Sequence, residues 1–269
     1  MNRAPVLFVS HGAPTLALEP GAYGPALAAF AGSIPRPRAV VVVSAHWLSH
    51  RDLGVTSAPR NRVVHDFGGF PRPLYDLDWP APGAPDVAAR VAALLGAAGL
   101  RASLDPARRL DHGVWIPLRF AYPGADVPTV QVSLPDAEPA TVARIGTALA
   151  PLRDEGILLV ASGGLVHNLG AVRFGAADVD GWAARFDAWA AERIAARDLH
   201  GLARWEEAPG AALAHPTPEH LAPVFVALGA ALPGDRVETV FEGIQHGSLS
   251  LRSFALRPGG DPAAAHRSS

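Results

Sequence analysis

Ala39-Val40-Val41-Val42-Val43-Ser44-Ala45, followed at once by His46 and Trp47, is the stretch that decides the fold. It shows no alternation of apolar and polar residues, so neither face of a strand built from it is left for water, and it reads as a strand buried on both sides. Three further short runs rich in Val, Ile and Leu lie at Pro5–Ser10, Thr129–Leu134 and Ile157–Ser162, each followed by small or polar residues. Apolar residues at helical spacing fill Asp86–Leu100 and Glu138–Leu152 between these runs, and Gly181–Leu199 and Thr217–Leu228 after them. Pro218 and Glu219 would sit in the first turn of the last of these. Strands alternating with helices predict an α/β fold: a single domain with a largely parallel or mixed central sheet and helices on both faces.

The chain has 269 residues, of which 49% are hydrophobic and 18% charged, enough to bury a large core. No repeat and no linker divides it, so residues 1–258 are expected to form one domain and 259–269 a frayed tail. With 23 basic and 25 acidic residues the net charge is −2, and no basic stripe is present to displace counterions from a polyanion. Nucleic acid is not an expected partner. The apolar segment near the N-terminus is far shorter than the roughly 20 residues of a membrane span, which argues against an anchor or a signal peptide. Cysteine is absent, which excludes disulfides, thiolate metal sites and a cysteine nucleophile, fits a cytoplasmic location, and leaves histidine and carboxylates as metal ligands. Whether copies assemble into a homo-oligomer is left open.

The 11 histidines carry the chemistry. His11 follows the first strand, His46 closes the second and His167 lies just past the strand Ile157–Ser162. Ligands gather at the carboxyl ends of parallel strands, so these three should project from one edge. One histidine alone is more often a hydrogen-bonded core residue than a ligand; three on one edge argue for a mononuclear, histidine-rich metal centre, and such nitrogen donors suit Fe(II) or Zn(II). His220, placed at the start of a helix, and His112, in the broken stretch Leu104–Gly113, also fall at element boundaries. His65, Asp66 and Phe67 open His65-Asp66-Phe67-Gly68-Gly69-Phe70-Pro71, a loop that mixes a polar pair with aromatics and glycines, as a substrate-binding loop does and as a tight structural turn also can. His50, His200 and His266 read as surface residues, and His215 as a turn cap. There is no Gly-x-Ser-x-Gly elbow, no Gly-x-Gly-x-x-Gly after a strand and no His-Glu-x-x-His, so serine hydrolase, dehydrogenase and zincin protease readings fail.

In sequence order, Ser10-His11-Gly12, Val43-Ser44-Ala45-His46-Trp47, the loop from His65 to Pro71, Leu110-Asp111-His112-Gly113, Ser162-Gly163 through His167-Asn168-Leu169, Pro216-Thr217-Pro218-Glu219-His220 and Gly247-Ser248-Leu249-Ser250 span nearly the whole chain. This ordered set resembles the class III extradiol ring-cleavage dioxygenases, in the 4,5-DOPA dioxygenase-like branch of the superfamily that includes protocatechuate 4,5-dioxygenase. The resemblance implies metal ligation by His11, His46 and His220, with His167 as a further ligand or as the acid/base. It implies Fe(II) for the chemistry, with Zn(II) known in the same cluster, and a catechol and O2 as the small-molecule partners, giving a muconic semialdehyde. A carboxylate ligand, where one is required, would come from Glu219 or Glu242. His167 would exchange a proton near an ordinary value of ~6.5, and His112 would steady the reduced oxygen or give a proton as a neutral donor. Two other readings use the same cluster: a zinc-dependent hydrolase with a metal-bound water as nucleophile, and a non-catalytic metal-binding member of the superfamily.

Overall fold

The valine run lies in the interior of an eight-stranded mixed sheet in a computed structural model that describes residues 3–259. The tail expected at 259–269 falls, apart from its first residue, outside the described residues. In chain order the elements are β1 (Val6–Ser10), α1 (Tyr23–Gly32), β2 (Ala39–Ser49), β3 (Leu53–Thr56), α2 (Pro85–Ala97), β4 (Ala102–Asp105), α3 (His112–Ala121), β5 (Thr129–Pro135), α4 (Pro139–Leu149) and β6 (Ile157–Gly163). They continue with α5 (Gly181–Ala195), α6 (Leu199–Ala203), α7 (Ala211–Ala214), α8 (Ala222–Gly229), β7 (Arg236–Phe241), β8 (Ile244–Gln245), β9 (Leu249–Ser250) and β10 (Ser253–Arg257).

The sheet order is β4-β3-β5-β2-β6-β1-β10-β7. Its centre, β5-β2-β6-β1, is parallel, while β3 runs antiparallel to β5 and β10 runs antiparallel to both β1 and β7. The central strands face a helical layer on each side, as their continuous apolar character requires. Val41 and Val43 enter the core under α2, α4, α5 and α8, while Val40 and Val42 enter the core under α1 and α3. Among the described residues no helix is long and apolar enough to cross a membrane.

Two helix boundaries differ from the sequence reading for a stated reason. Thr217–Leu221 forms turns and α8 starts at Ala222, because a helix begun at 217 would hold Pro223 in its interior without an N–H to give; from Ala222 the proline falls in the first turn. Leu104–Gly113, read as loop, contains the end of edge strand β4 and the start of α3, so His112 is the first residue of a helix. Pro117 disguised α3, since it sits inside the helix.

Candidate metal centre

β1 and β2 both flank β6 in parallel register, with Ser10 opposite Gly163 and Ser44 opposite Ser162. That register brings His11, one residue past β1, and His46, two residues past Ser44, to the same edge of the sheet. A shift in the pairing of β2 with β5 between Val43 and Leu48 lets the segment carrying His46 leave the regular pleat. His220 arrives from the turn before α8, where its carbonyl oxygen accepts the N–H of Gly164 at 2.8 Å. A Cβ on Gly163 would stand 2.2 Å from that same carbonyl, so the glycine here serves close backbone approach.

Three imidazole nitrogens converge. His11 Nε2 lies 2.9 Å and His220 Nε2 lies 3.3 Å from His46 Nε2. Each outer ring has its proton fixed on the far nitrogen. Ser162 Oγ donates to the Gly113 carbonyl and therefore accepts the Nδ1–H of His11, at 2.9 Å. The Glu219 carboxylate accepts the Nδ1–H of His220, also at 2.9 Å. Both Nε2 atoms then carry bare lone pairs. A proton on His46 Nε2 can satisfy only one of them well, whereas a cation satisfies all three, and nitrogens each about 2.0–2.1 Å from one ion stand roughly 3 Å apart. The donor set fits a divalent transition metal or zinc.

The electrostatics agree with that reading. Burial, reinforced by the neighbouring imidazoles, holds His11 and His46 far below the ordinary histidine value. Burial also lowers His220, although Glu219 opposes the shift. The hydrogen bond from His220 pulls Glu219 down to about 2. The cluster is thus neutral in nitrogen and backed by a carboxylate, the state in which imidazole ligates.

His167 lies on His220 like one plate on another, with ring centroids 3.4 Å apart and planes 6° apart. A lone pair lies in its ring's plane, so the lone pairs of two rings stacked this way do not aim at one point. His167, Glu219 and His220 also offer ligand atoms that all lie within 4.8 Å of one another. Burial and the neighbouring His220 and His215 push His167 down to about 3, well under the anticipated ~6.5.

His112 meets the cluster from the α3 side, its ring 4.0 Å from that of His46 and 5.4 Å from that of His11. Asp66 accepts both its backbone N–H and its Nδ1–H, at 3.0 Å each. In the neutral ring Nε2 is then bare, so His112 accepts a proton at Nε2 before it can give one. His112 and Asp66 thus form an Asp–His pair. Burial works against the charge of Asp66, but the hydrogen bonds from His112 outweigh it and hold the carboxyl below its ordinary value. Asp66 Oδ2 also faces His46 Nδ1 at 3.7 Å.

The loop holding Asp66 also brings Phe67 against His112, with ring centroids 5.6 Å apart, while His65 is turned away to the Leu77 carbonyl at 3.0 Å. Glu242 pairs with Arg252 at the surface and is not part of the cluster. His215 is buried and bonded to the Leu165 carbonyl rather than capping a turn. His50 and His200 are exposed as expected, and His266 lies outside the described residues.

Sequence reasoning missed the polar layer beneath the histidines. Ser44 donates to Asp111 at 2.8 Å, Gln131 donates to the other carboxylate oxygen of Asp111, and the N–H of His46 reaches Ser44 Oγ at 3.3 Å. Burial, and then the charge of Asp66, pushes the Asp111 carboxyl upward. Ser162 plays the corresponding part under His11. Ser44, Gln131 and Ser162 all interrupt apolar strand runs, and that was their signal in the sequence.

Comparison with known proteins gives the site its context. Residues 8–251 match the family described as the catalytic LigB subunit of aromatic ring-opening dioxygenase. A protein of Escherichia coli named 4,5-DOPA dioxygenase extradiol is 42% identical over 261 residues, covering 95% of each chain. Its namesake from Beta vulgaris is 35% identical, covering 94% of this chain and 96% of the relative. A crystal structure of an uncharacterized protein from Escherichia coli K12 superposes with a TM-score of 0.80 at 36% identity, covering 94% of this chain and 100% of that one. This chain therefore belongs to the LigB family of class III extradiol, aromatic ring-opening dioxygenases, metal-dependent oxidoreductases.

Proposed function

We propose that the protein opens the ring of a small, DOPA-like catechol with O2 at an Fe(II) ion held by His11, His46 and His220, giving a muconic semialdehyde. One observation carries the reading: three Nε2 atoms within 3.3 Å of a common member, two of them with their protons fixed elsewhere. The relatives named for 4,5-DOPA support the substrate class. When bound, the metal would supply a chelating site for both catechol oxygens, a lowered hydroxyl pKa and a redox-active place for O2, which redox-inert zinc cannot match.

The remaining work falls to the chain. Ser162 and Glu219 orient the rings of His11 and His220 by taking their Nδ1 protons. His112 accepts a hydroxyl proton at Nε2, and Asp66 stabilises the imidazolium that results. His167, held near 3, takes a proton only from a strongly acidified hydroxyl and returns it readily during ring opening. Phe67 offers an aromatic edge beside His112. His65 supports this loop through the Leu77 carbonyl and so acts on substrate binding indirectly.

The test is O2 uptake by protein purified without metal and loaded anaerobically with Fe(II) or Zn(II), measured against a panel of catechols. Uptake with Fe(II) alone supports the proposal. Ester or amide cleavage by the zinc form, without O2 uptake by the iron form, would establish the hydrolase reading in its place.

A further inference from the structure

The two most exposed large apolar side chains among the described residues, Leu169 at 68% and Phe174 at 61%, lie within a few residues of His167. Exposed apolar groups scattered singly need no explanation, but Phe174 is tied by ring contacts to the histidine cluster.

Phe174 is not loosely placed. Its neighbours Arg173 and Gly175 both donate backbone N–H groups to His246, one to the carbonyl at 3.0 Å and one to Nδ1 at 3.2 Å. The rings of Phe174 and His246 lie 4.9 Å apart. His246 itself adopts a φ of +55°, a conformation that L side chains seldom take, so the turn that grips Phe174 is held against a conformational cost.

From there an unbroken series of aromatic contacts leads to the metal centre. Phe174 meets Phe70 at 6.2 Å, Phe70 meets Phe67 at 5.6 Å, and Phe67 meets His112 at 5.6 Å. Phe67 and Phe70 come from the loop between β3 and α2, and Phe174 from the segment between β6 and α5, so two separate segments build one apolar wall. On the far side Gln245, next to His246, approaches Gly12, which follows His11; a Cβ there would lie 3.6 Å from Gln245 Oε1. The wall thus reaches the histidine cluster at His112, and the segment holding His246 reaches it beside His11.

We infer that Phe70 and Phe174 form the outer wall of the substrate cleft and select catechols bearing an apolar arm on the ring, with His246 as the positioning residue that presents Phe174. The inference rests on the proposed function in one respect, that a catechol binds at the histidine cluster. Within the proposed class of small, DOPA-like catechols it adds a preference, for a substituent whose apolar part extends away from the two hydroxyls to cover Phe174.

The experiment uses the Zn(II)-loaded protein, which holds the ligand without turning it over. Catechol and 4-butylcatechol are titrated under nitrogen and their affinities read by calorimetry. Wild type is expected to prefer 4-butylcatechol. Phe174→Ala should reduce that preference about tenfold, the value of roughly 55 Å² of lost apolar contact. His246→Gly, which tolerates the backbone conformation while deleting the ring, should reproduce most of the loss, and the double variant should lose no more than Phe174→Ala alone. Leu104→Ala, which removes an exposed leucine from edge strand β4, should leave the preference intact. A preference unchanged in Phe174→Ala, or losses in the double variant that add, would overturn the inference while leaving the proposed function standing. Failure of wild type to bind either catechol would overturn both.

Discussion

Pro117 stands four residues after Gly113 in α3, and the helical hydrogen bond it cannot donate to the Gly113 carbonyl is replaced by one from Ser162 Oγ. Ser162 in turn accepts the Nδ1–H of His11 and so points His11 Nε2 at the cluster. A proline that looks like a helix breaker thus supplies the free carbonyl on which the orientation of a metal-facing histidine depends. Gly113 permits the approach, since a Cβ there would stand 2.8 Å from Ser44 Oγ and 3.1 Å from His11 Nδ1.

This relay predicts a graded effect on metal affinity. His11→Ala, His46→Ala or His220→Ala should abolish stoichiometric metal binding, whereas Ser162→Ala should weaken it by about 10–100-fold, the usual cost of losing a partner that orients a ligand. Equilibrium dialysis against a competing chelator measures both. A His220→Ala protein with full metal content would transfer the third position to Glu219 or His167.

His167→Gln should keep most of the metal, because the stacked ring does not share a plane with His220. Turnover should fall by roughly 10²–10⁴ if the ring handles a proton. Metal analysis and single-turnover rates on the same preparation decide the matter. Loss of metal in step with activity would make His167 a ligand, and normal turnover would remove it from the mechanism.

Asp66→Asn keeps an acceptor for the His112 backbone but removes the charge that stabilises its imidazolium. We expect retained metal and a loss of about 10² or more in turnover. A comparable loss of thermal stability with unaltered rate per folded molecule would reduce Asp66 to a structural anchor.

Acid should destabilise the metal-free protein through the cluster itself. His11, His46, His167 and His220 all titrate below their unfolded value of ~6.5, His167 at about 3, so the unfolded chain binds more protons than the folded one as pH falls through that window. The histidine contribution is complete above about pH 6.5 and is lost progressively below it, ahead of the ordinary carboxylate range. Melting temperature in the presence of a chelator, scanned from pH 7.5 to 5, should fall by several degrees. A flat profile would show that the histidines are not held neutral in the folded chain.

The sheet was legible because β1, β2 and β6 are continuous apolar runs, and a run with no polar face has only one way to be buried; β5 alternates Val130, Val132 and Leu134 with Thr129, Gln131 and Ser133 and was legible from its valines. The edge strand β4, Ala102-Ser103-Leu104-Asp105, was not: half wet and with few apolar residues, it forms because β3 offers it a free edge. His11 and His46 could be placed from the strand ends alone, whereas His220 needed the family resemblance, since no local pattern says that the turn before α8 folds back onto Gly163. The tautomers were beyond reach. They depend on Ser162, Glu219 and Asp66, whose partners lie 151, 1 and 46 residues away, and only the first and last of these separations require tertiary structure. Glu219, adjacent to His220, was expected only as a carboxylate ligand, and its hydrogen bond to His220 Nδ1 was not anticipated.

The central claim is that this histidine cluster uses O2 to open a catechol ring, and isotope labelling addresses it directly. Fe(II)-loaded protein is mixed anaerobically with catechol, exposed to 18O2, and the product weighed by mass spectrometry. Ring opening adds both oxygen atoms and nothing else, so the account predicts a yellow product four mass units heavier than the one formed in 16O2, with one O2 consumed per catechol. A product two hydrogens lighter than catechol and free of label, the signature of simple oxidation to the quinone, or no O2 consumption with any catechol, would contradict it.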